Sequence, residues 1–129
     1  MIAVDASALV EVLVRGPDAG TVERRLSAMG SVHAPHLLDV EVTQVLRRYA
    51  AAGRTDEMRC RAALDDLAEM RLIRHPHRHL LPRVWELRHN LTAYDAIYVA
   101  LAEFLDAPLL TRDRRIANAP GHSARIDLI

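Results

Sequence analysis

The chain has 129 residues, half of them apolar, and its 17 arginines balance 17 acidic residues, so its formal net charge is zero. This length and apolar content predict one domain over residues 1–129 with its own core, and they exclude wholesale disorder. The neutral balance means that nucleic-acid binding would need a local basic patch, and the absence of lysine excludes every mechanism that requires one.

Short apolar stretches alternate with amphipathic ones along the chain, which predicts strands alternating with helices. The predicted strands are residues 1–4, 31–34, 72–73, 108–111 and 125–128. Six predicted helices are residues 6–14, 18–29, 36–52, 81–91, 92–105 and 112–118. A further helix, predicted between the third and fourth of these, has Thr55 as its cap and reaches Met70. This alternation implies βαβ crossovers and hence an α/β fold around a parallel sheet of about five short strands.

Four acidic residues from distant segments have positions that could bring them together. Asp5 ends the first predicted strand and Asp113 follows the fourth, so both lie at the carboxyl edge of the sheet, where open parallel sheets bind ligands. Glu41 flanks the apolar face of the third predicted helix, and Asp95 lies in the first turn of the sixth. This arrangement favours one shared pocket.

Each acid also has a structural explanation, which the sequence leaves open. Aspartate commonly caps helices, as Asp5 and Asp113 could. Asp95 stands three residues after Thr92, as in a capping box, and Glu41 is compatible with an ordinary helix edge. Two acids that follow strands at one sheet edge, and a third that leans toward the apolar face, favour a site over four unrelated positions.

Clustered carboxylates repel one another unless a cation resolves the conflict. Mg²⁺ or Mn²⁺ suits such a cluster because each prefers oxygen ligands and keeps waters that can attack a phosphodiester. Ser7 and Thr111 each lie two residues from an acid of the cluster, and their hydroxyls could bond a carboxylate, a water or a phosphate oxygen. Helix capping or a turn explains both hydroxyls equally well.

The chain resembles the PIN-domain family, and in particular its VapC-type ribonuclease toxins from bacterial toxin–antitoxin pairs. The resemblance covers essentially the whole chain. The segments that carry it are VDASALV at 4–10, LLDVEVTQVLRR at 37–48, LTAYDAIYVALAE at 91–103 and LLTRDRRI at 109–116. The third and fourth of these segments are the most specific.

The resemblance implies a three-layer fold with helices on both faces of the sheet, and an Mg²⁺- or Mn²⁺-dependent endoribonuclease. It places catalytic, metal-site acids at Asp5, Glu41, Asp95 and Asp113, with supporting hydroxyls at Ser7 and Thr111. The first three acids would be the direct ligands, and Asp113 would bind a second ion or act through water. The resemblance also implies neutralisation by a small VapB-type antitoxin, homodimers and toxin–antitoxin hetero-oligomers.

Arginines near the predicted site could supply the positive charge that RNA requires. Arg112, Arg114 and Arg115 flank Asp113, and we interpret them as RNA-binding. Arg47 and Arg48 are interpreted as part of a solvated helix face. The aromatic residues are interpreted as core or partner-interface residues rather than as platforms for base stacking. These are Tyr49, Trp85, Tyr94, Tyr98 and Phe104.

Histidine and cysteine give no strong metal signal. His75, His77 and His79 alternate around a proline in a predicted loop, which is poor spacing for a closed tetrahedral site. His33 is interpreted as a residue beside a strand-to-helix turn. The single cysteine, Cys60, excludes an internal disulfide, and with no apolar run long enough for a membrane span we expect a soluble, cytoplasmic protein.

Other phosphate-processing classes lack their motifs here. There is no G-x-x-x-x-G-K run for a P-loop, no glycine run for a dinucleotide fold, and no lysine for a receiver domain. Ser7 stands where the haloacid-dehalogenase type of phosphatase has a second aspartate. The remaining alternative is a non-catalytic module that binds RNA or an antitoxin without cleaving RNA.

Overall fold

In a computed structural model that describes residues 1–129, five parallel strands form one sheet in the order β3-β2-β1-β4-β5. The strands are β1 (Ile2–Val4), β2 (Val32–Pro35), β3 (Leu72–His75), β4 (Leu109–Thr111) and β5 (Ile126–Leu128). The helices are α1 (Ala6–Leu13), α2 (Ala19–Ala28), α3 (Leu37–Ala51), α4 (Glu57–Glu69), α5 (Leu81–Glu86), α6 (Ala93–Leu105) and α7 (Arg114–Asn118), with a 3₁₀ turn at Arg78–Leu80. The predicted five-stranded parallel sheet is confirmed.

The central strand β1 determines where the site lies. All three of its residues are buried, and it pairs with β2 on one side and with β4 on the other. Because every pairing is parallel, the carboxyl ends of the strands share one edge of the sheet. Because helices cover both faces of the sheet, polar side chains gather at this carboxyl edge. No helix has the length and apolar character needed to cross a membrane.

Two local predictions about helix ends were wrong. Asp56, not Thr55, caps α4, because its carboxylate accepts a hydrogen bond from the Arg59 backbone N–H at 2.8 Å. The helix predicted over 81–91 ends at Glu86 and continues as turns. The leucine spacing predicted a longer helix because Leu87 and Leu91 are buried, at 1% and 7% exposure. Both leucines are nevertheless buried from the turns that follow the helix.

The histidine region also differs from the prediction. His75 is the last residue of β3 rather than part of a loop, whereas His33 lies within β2, in agreement with the strand predicted over residues 31–34. His33 Nδ1 lies 2.8 Å from His75 Nε2, and its other ring nitrogen lies 2.9 Å from the Ser31 hydroxyl. Burial lowers the pKa of both imidazoles, and the charge of His75 lowers the pKa of His33 further.

We expect this histidine pair to make the fold sensitive to mild acid. Because both folded-state pKa values are lowered, the unfolded chain binds protons first, so stability is complete above about pH 6.5 and falls as the pH drops below it. Urea unfolding at pH 7.5 and pH 5.5 should show this loss, and His33→Gln should reduce it. The exposed His89 provides the control: if His89→Gln changes the pH dependence as much as His33→Gln does, the pair is not the cause.

Candidate active site

Asp5 lies at the centre of the carboxyl edge, directly after β1, and is only 4% exposed. Its Oδ1 accepts hydrogen bonds from the Ala8 backbone N–H at 3.1 Å and from the Ser7 hydroxyl at 2.7 Å. Its Oδ2 accepts one from the Thr111 hydroxyl at 2.6 Å. The carboxylate therefore caps α1 and at the same time lies at the sheet edge, so the two alternatives left open by the sequence do not exclude each other.

The two hydroxyls that bond Asp5 also hold the segment that carries Asp113. The Ser7 hydroxyl oxygen accepts from the Arg112 backbone N–H, and the Thr111 hydroxyl oxygen accepts from the Asp113 backbone N–H, each at 2.9 Å. Ser7 and Thr111 thus join the end of β1 to the start of α7. We call this arrangement the hydroxyl bridge.

Asp113 itself caps α7 and carries an ion pair. Its Oδ1 accepts from the Arg115 backbone N–H at 2.8 Å, and the Arg115 guanidinium lies 2.7 Å from its Oδ2. The hydrogen bonds from Arg115 lower the pKa of this carboxyl, so it stays ionised. Arg115, which was expected to contact RNA, therefore pairs with a site acid in this structure.

Glu41 has a partner that the sequence did not reveal. The Tyr98 hydroxyl donates to Glu41 Oε2 at 2.7 Å, from a side chain that is only 2% exposed. Tyr98 follows Asp95 by three residues on α6, and residues at that spacing share a helix face. The three-residue spacing from Asp95 is therefore the sequence signal that could have identified Tyr98, and not another tyrosine, as a residue of the site.

The four acids influence one another electrostatically. Burial raises the pKa of Asp5, Glu41 and Asp95. Asp113 raises the pKa of Asp5 and of Asp95 further, and the charges of Asp95 and Asp5 raise that of Glu41. The four predicted acids therefore lie close enough to influence one another, Asp5 and Asp113 at the carboxyl edge of the sheet, Glu41 on α3 and Asp95 on α6.

Neutralising one of these acids should stabilise the protein when no divalent cation is present. A raised folded-state pKa favours the protonated form, so its stabilising effect exists at low pH and is lost as the pH rises through the folded pKa. Asp95→Asn should therefore raise Tm at pH 7.5 in chelator, with the difference shrinking toward pH 4. Asp65→Asn, on the exposed face of α4, is the control, and equal Tm values for wild type and Asp95→Asn would contradict the argument.

The donor chemistry of the cluster fits Mg²⁺ or Mn²⁺. The side chains offer only oxygen ligands, and a cation would stabilise the ionised forms of three carboxyls whose pKa is raised. As the side chains lie, no three histidine, cysteine or acidic residues are arranged so that they could hold a metal ion.

Arg112, like Arg115, was predicted to bind RNA and instead forms salt bridges with acidic residues. Its guanidinium lies 2.8 Å from Glu11 Oε2 and 2.8 Å from Asp18 Oδ2. Glu11 is 6% exposed and also accepts from the Asp18 backbone N–H. Arg112 thus anchors the start of the Asp113 segment to α1, which leaves Arg114 as the one of the three predicted RNA-binding arginines without a salt bridge.

Fold and site together define a class of protein: a three-layer α/β protein that gathers carboxylates at the carboxyl edge of a parallel sheet. The sequence model of the PIN-domain family matches residues 2–121, so the chain belongs to this family. This confirms the resemblance seen in the sequence.

Individual relatives agree with this assignment. Ribonuclease VapC1 of Mycobacterium tuberculosis (strain ATCC 25618 / H37Rv) is 46% identical over 127 residues, which cover 98% of this chain and 96% of the relative. The crystal structure of PAE2754 from Pyrobaculum aerophilum is 26% identical and covers 98% of this chain and 83% of its own, with a TM-score of 0.70. VapBC2 from Rickettsia felis, bound to a DNA fragment from its promoter, is 14% identical and covers 99% and 98%, with a TM-score of 0.72, and shows likeness of fold alone.

Proposed function

We propose that the protein is the ribonuclease toxin of a toxin–antitoxin pair and that it hydrolyses RNA phosphodiester bonds with Mg²⁺ or Mn²⁺. The observation that supports this most is the gathering of four acids at one sheet edge, in a chain with a 46% identical relative that is named a ribonuclease. The acids are Asp5, Glu41, Asp95 and Asp113.

Each acid has a role in this proposal. Asp5, Glu41 and Asp95 would hold the ion directly once their side chains turn toward it, and Asp113 would bind a second ion or act through water. A bound Mg²⁺ or Mn²⁺ supplies an activated water and stabilises the leaving oxygen of the displacement at phosphorus.

The neighbouring side chains position the acids. Ser7 and Thr111 orient the two oxygens of Asp5, and the Tyr98 hydroxyl orients Glu41. Because Asp5 is almost fully buried, water is largely excluded from its surroundings, which strengthens its attraction for a cation.

The proposal extends to partners and location. A VapB-type antitoxin would inhibit the enzyme, and the toxin–antitoxin complexes among its structural neighbours support such a partner. We further propose a single domain over residues 1–129, a homodimer or toxin–antitoxin hetero-oligomer, and a cytoplasmic location. We also propose that RNA contacts Arg112, Arg114 and Arg115. To bind a phosphate, Arg112 and Arg115 would have to break their salt bridges with acidic residues.

Cleavage of a structured RNA pool tests the proposal. Purified protein free of antitoxin is incubated with Mg²⁺, with Mn²⁺ and with chelator, beside Asp95→Asn and the control Asp65→Asn. We expect metal-dependent cleavage by wild type and Asp65→Asn and none by Asp95→Asn. Folded wild-type protein that cuts no RNA under any condition would contradict the proposal and favour a non-catalytic binding module.

A further inference from the structure

Two cavities lie beside the candidate active site, and Val45 and Arg48 line both of them. The first, of about 420 Å³, is lined by residues that include Leu37, Val40, Glu41, Val45, Arg48 and Tyr94. We call it the base cavity. The second, of about 490 Å³, is lined by residues that include Ser7, Arg48, Tyr49, Arg54 and Arg112. We call it the phosphate cavity.

Each cavity shares one lining residue with the candidate active site. The base cavity contains Glu41, one of the four acids. The phosphate cavity contains Ser7, whose hydroxyl bonds Asp5 at 2.7 Å. A chain that passed from one cavity to the other would therefore run beside Glu41 and past Ser7, which bonds Asp5.

Three arginines line the phosphate cavity, and two of them form no salt bridge. Arg112 is occupied by Glu11 and Asp18, but Arg48 and Arg54 form no salt bridge. Arg54 is held over the Tyr49 ring, with its guanidinium carbon 4.4 Å from the ring centroid. In a chain with zero net charge, two free guanidinium groups facing one cavity beside the site form a local anion-binding patch.

The base cavity has the character of a nucleobase site. Tyr94 is 64% exposed and Val40 is 67% exposed, so an aromatic ring and an aliphatic surface face solvent beside the acids. Unpaired bases stack on exposed aromatic rings, and polar groups at the rim can bond the base edges. Gln44 is a polar residue that lines the same cavity. The volume is within the range of roughly 300–1,000 Å³ that is usual for small-molecule sites.

We propose that single-stranded RNA lies across the acid cluster along α3, with an unpaired base on Tyr94 in the base cavity and a flanking phosphate bound by Arg48 and Arg54 in the phosphate cavity. This inference rests on the proposed function, since it takes RNA as the substrate. It assigns Arg48, which the sequence alone indicates to be part of a solvated helix face, a role that its neighbour Arg47 does not share. Arg47 lines neither cavity and donates to Gln44 Oε1 at 3.0 Å.

The phosphate part is tested by the salt dependence of RNA binding. In the Asp95→Asn background, which leaves the RNA uncut, anisotropy of a fluorescein-labelled single-stranded RNA is measured over a series of KCl concentrations. Each lost phosphate contact should reduce the slope of log K against log [salt] by about 0.7 for a single strand. We expect that reduction for Arg48→Ala and Arg54→Ala and no change for Arg47→Ala. Equal slopes for Arg47→Ala and Arg48→Ala would overturn this part.

The base part is tested in the same assay. Tyr94→Ala should weaken binding about fivefold or more with an unchanged salt slope, because stacking of a base on an aromatic ring usually contributes at least that much. Phe104→Ala, an equally exposed aromatic at the other end of α6, should have no effect. An equal loss in the two variants would overturn this assignment.

The outcomes separate the inference from the proposed function. Active wild-type enzyme with silent Arg48 and Tyr94 variants would overturn the inference alone. Inactive wild-type protein that binds RNA with the expected slopes would support the RNA path and contradict the nuclease. Binding of an acidic peptide that depends on Arg48 and Arg54, without any binding of RNA, would assign the phosphate cavity to a protein partner and overturn the inference.

Discussion

Asp5→Asn is expected to abolish RNA cleavage in the presence of Mg²⁺ or Mn²⁺. Substituting a residue that only hydrogen-bonds a metal ligand already lowers metal affinity or activity about 10–100-fold. The loss of a direct ligand should therefore lower the cleavage rate by more than about 100-fold. Asparagine can still accept the Ala8 backbone N–H at the start of α1, which should leave the fold intact. Initial cleavage rates with each metal, together with a thermal melt, measure both effects.

The matched control for this substitution is Asp56→Asn. Asp56 also caps a helix through its carboxylate, at the start of α4, but it belongs to no part of the proposed site. It should cleave RNA at the wild-type rate. Wild-type activity in Asp5→Asn would show that Asp5 is a helix cap only.

Thr111→Val is expected to have the second-largest effect. Thr111 is fully buried, and valine would remove both the donor to Asp5 Oδ2 and the acceptor for the Asp113 backbone N–H while keeping the shape. Two buried polar groups would then lack partners, which costs about 1–3 kcal/mol each. We expect a stability loss of that order and a cleavage rate reduced by about 10–100-fold, as for other groups that orient a metal ligand.

Thr111→Ser separates the hydroxyl from the packing. Serine keeps the hydroxyl and loses one methyl group, at a cost of about 0.8 kcal/mol. The metal concentration for half-maximal cleavage should rise in Thr111→Val and stay close to wild type in Thr111→Ser. If both variants shift it alike, the hydroxyl does not position Asp5.

Much of the site could be predicted because its residues follow directly from local rules. An apolar run followed by an acid predicts a strand that ends at the sheet edge, and parallel pairing then brings Asp5 and Asp113 to the same edge. Helix capping was an equally good explanation, and it holds as well: Asp5, Asp113 and Thr92 all cap helices. A sequence cannot separate cap from site when one carboxylate serves as both.

The features that the sequence did not predict depend on pairs that are distant along the chain. Tyr98 reaches Glu41 over 57 residues, and Arg112 reaches Glu11 over 101. Local patterns contain no information about such pairs, because the fold alone decides which side chains meet. Arg47 and Arg48 look equivalent in sequence, and only the direction of each side chain from α3 separates them.

The hydroxyl bridge also bears on the order in which the protein becomes complete during synthesis. Asp5 and Ser7 leave the ribosome well before Thr111, which is 106 residues further along the chain than Asp5. Until β4 has emerged and paired with β1, one oxygen of Asp5 has no hydroxyl partner and Asp113 is absent from the sheet edge. A nascent chain therefore carries an unfinished acid cluster until the segment with Thr111 and Asp113 has emerged and β4 has paired with β1.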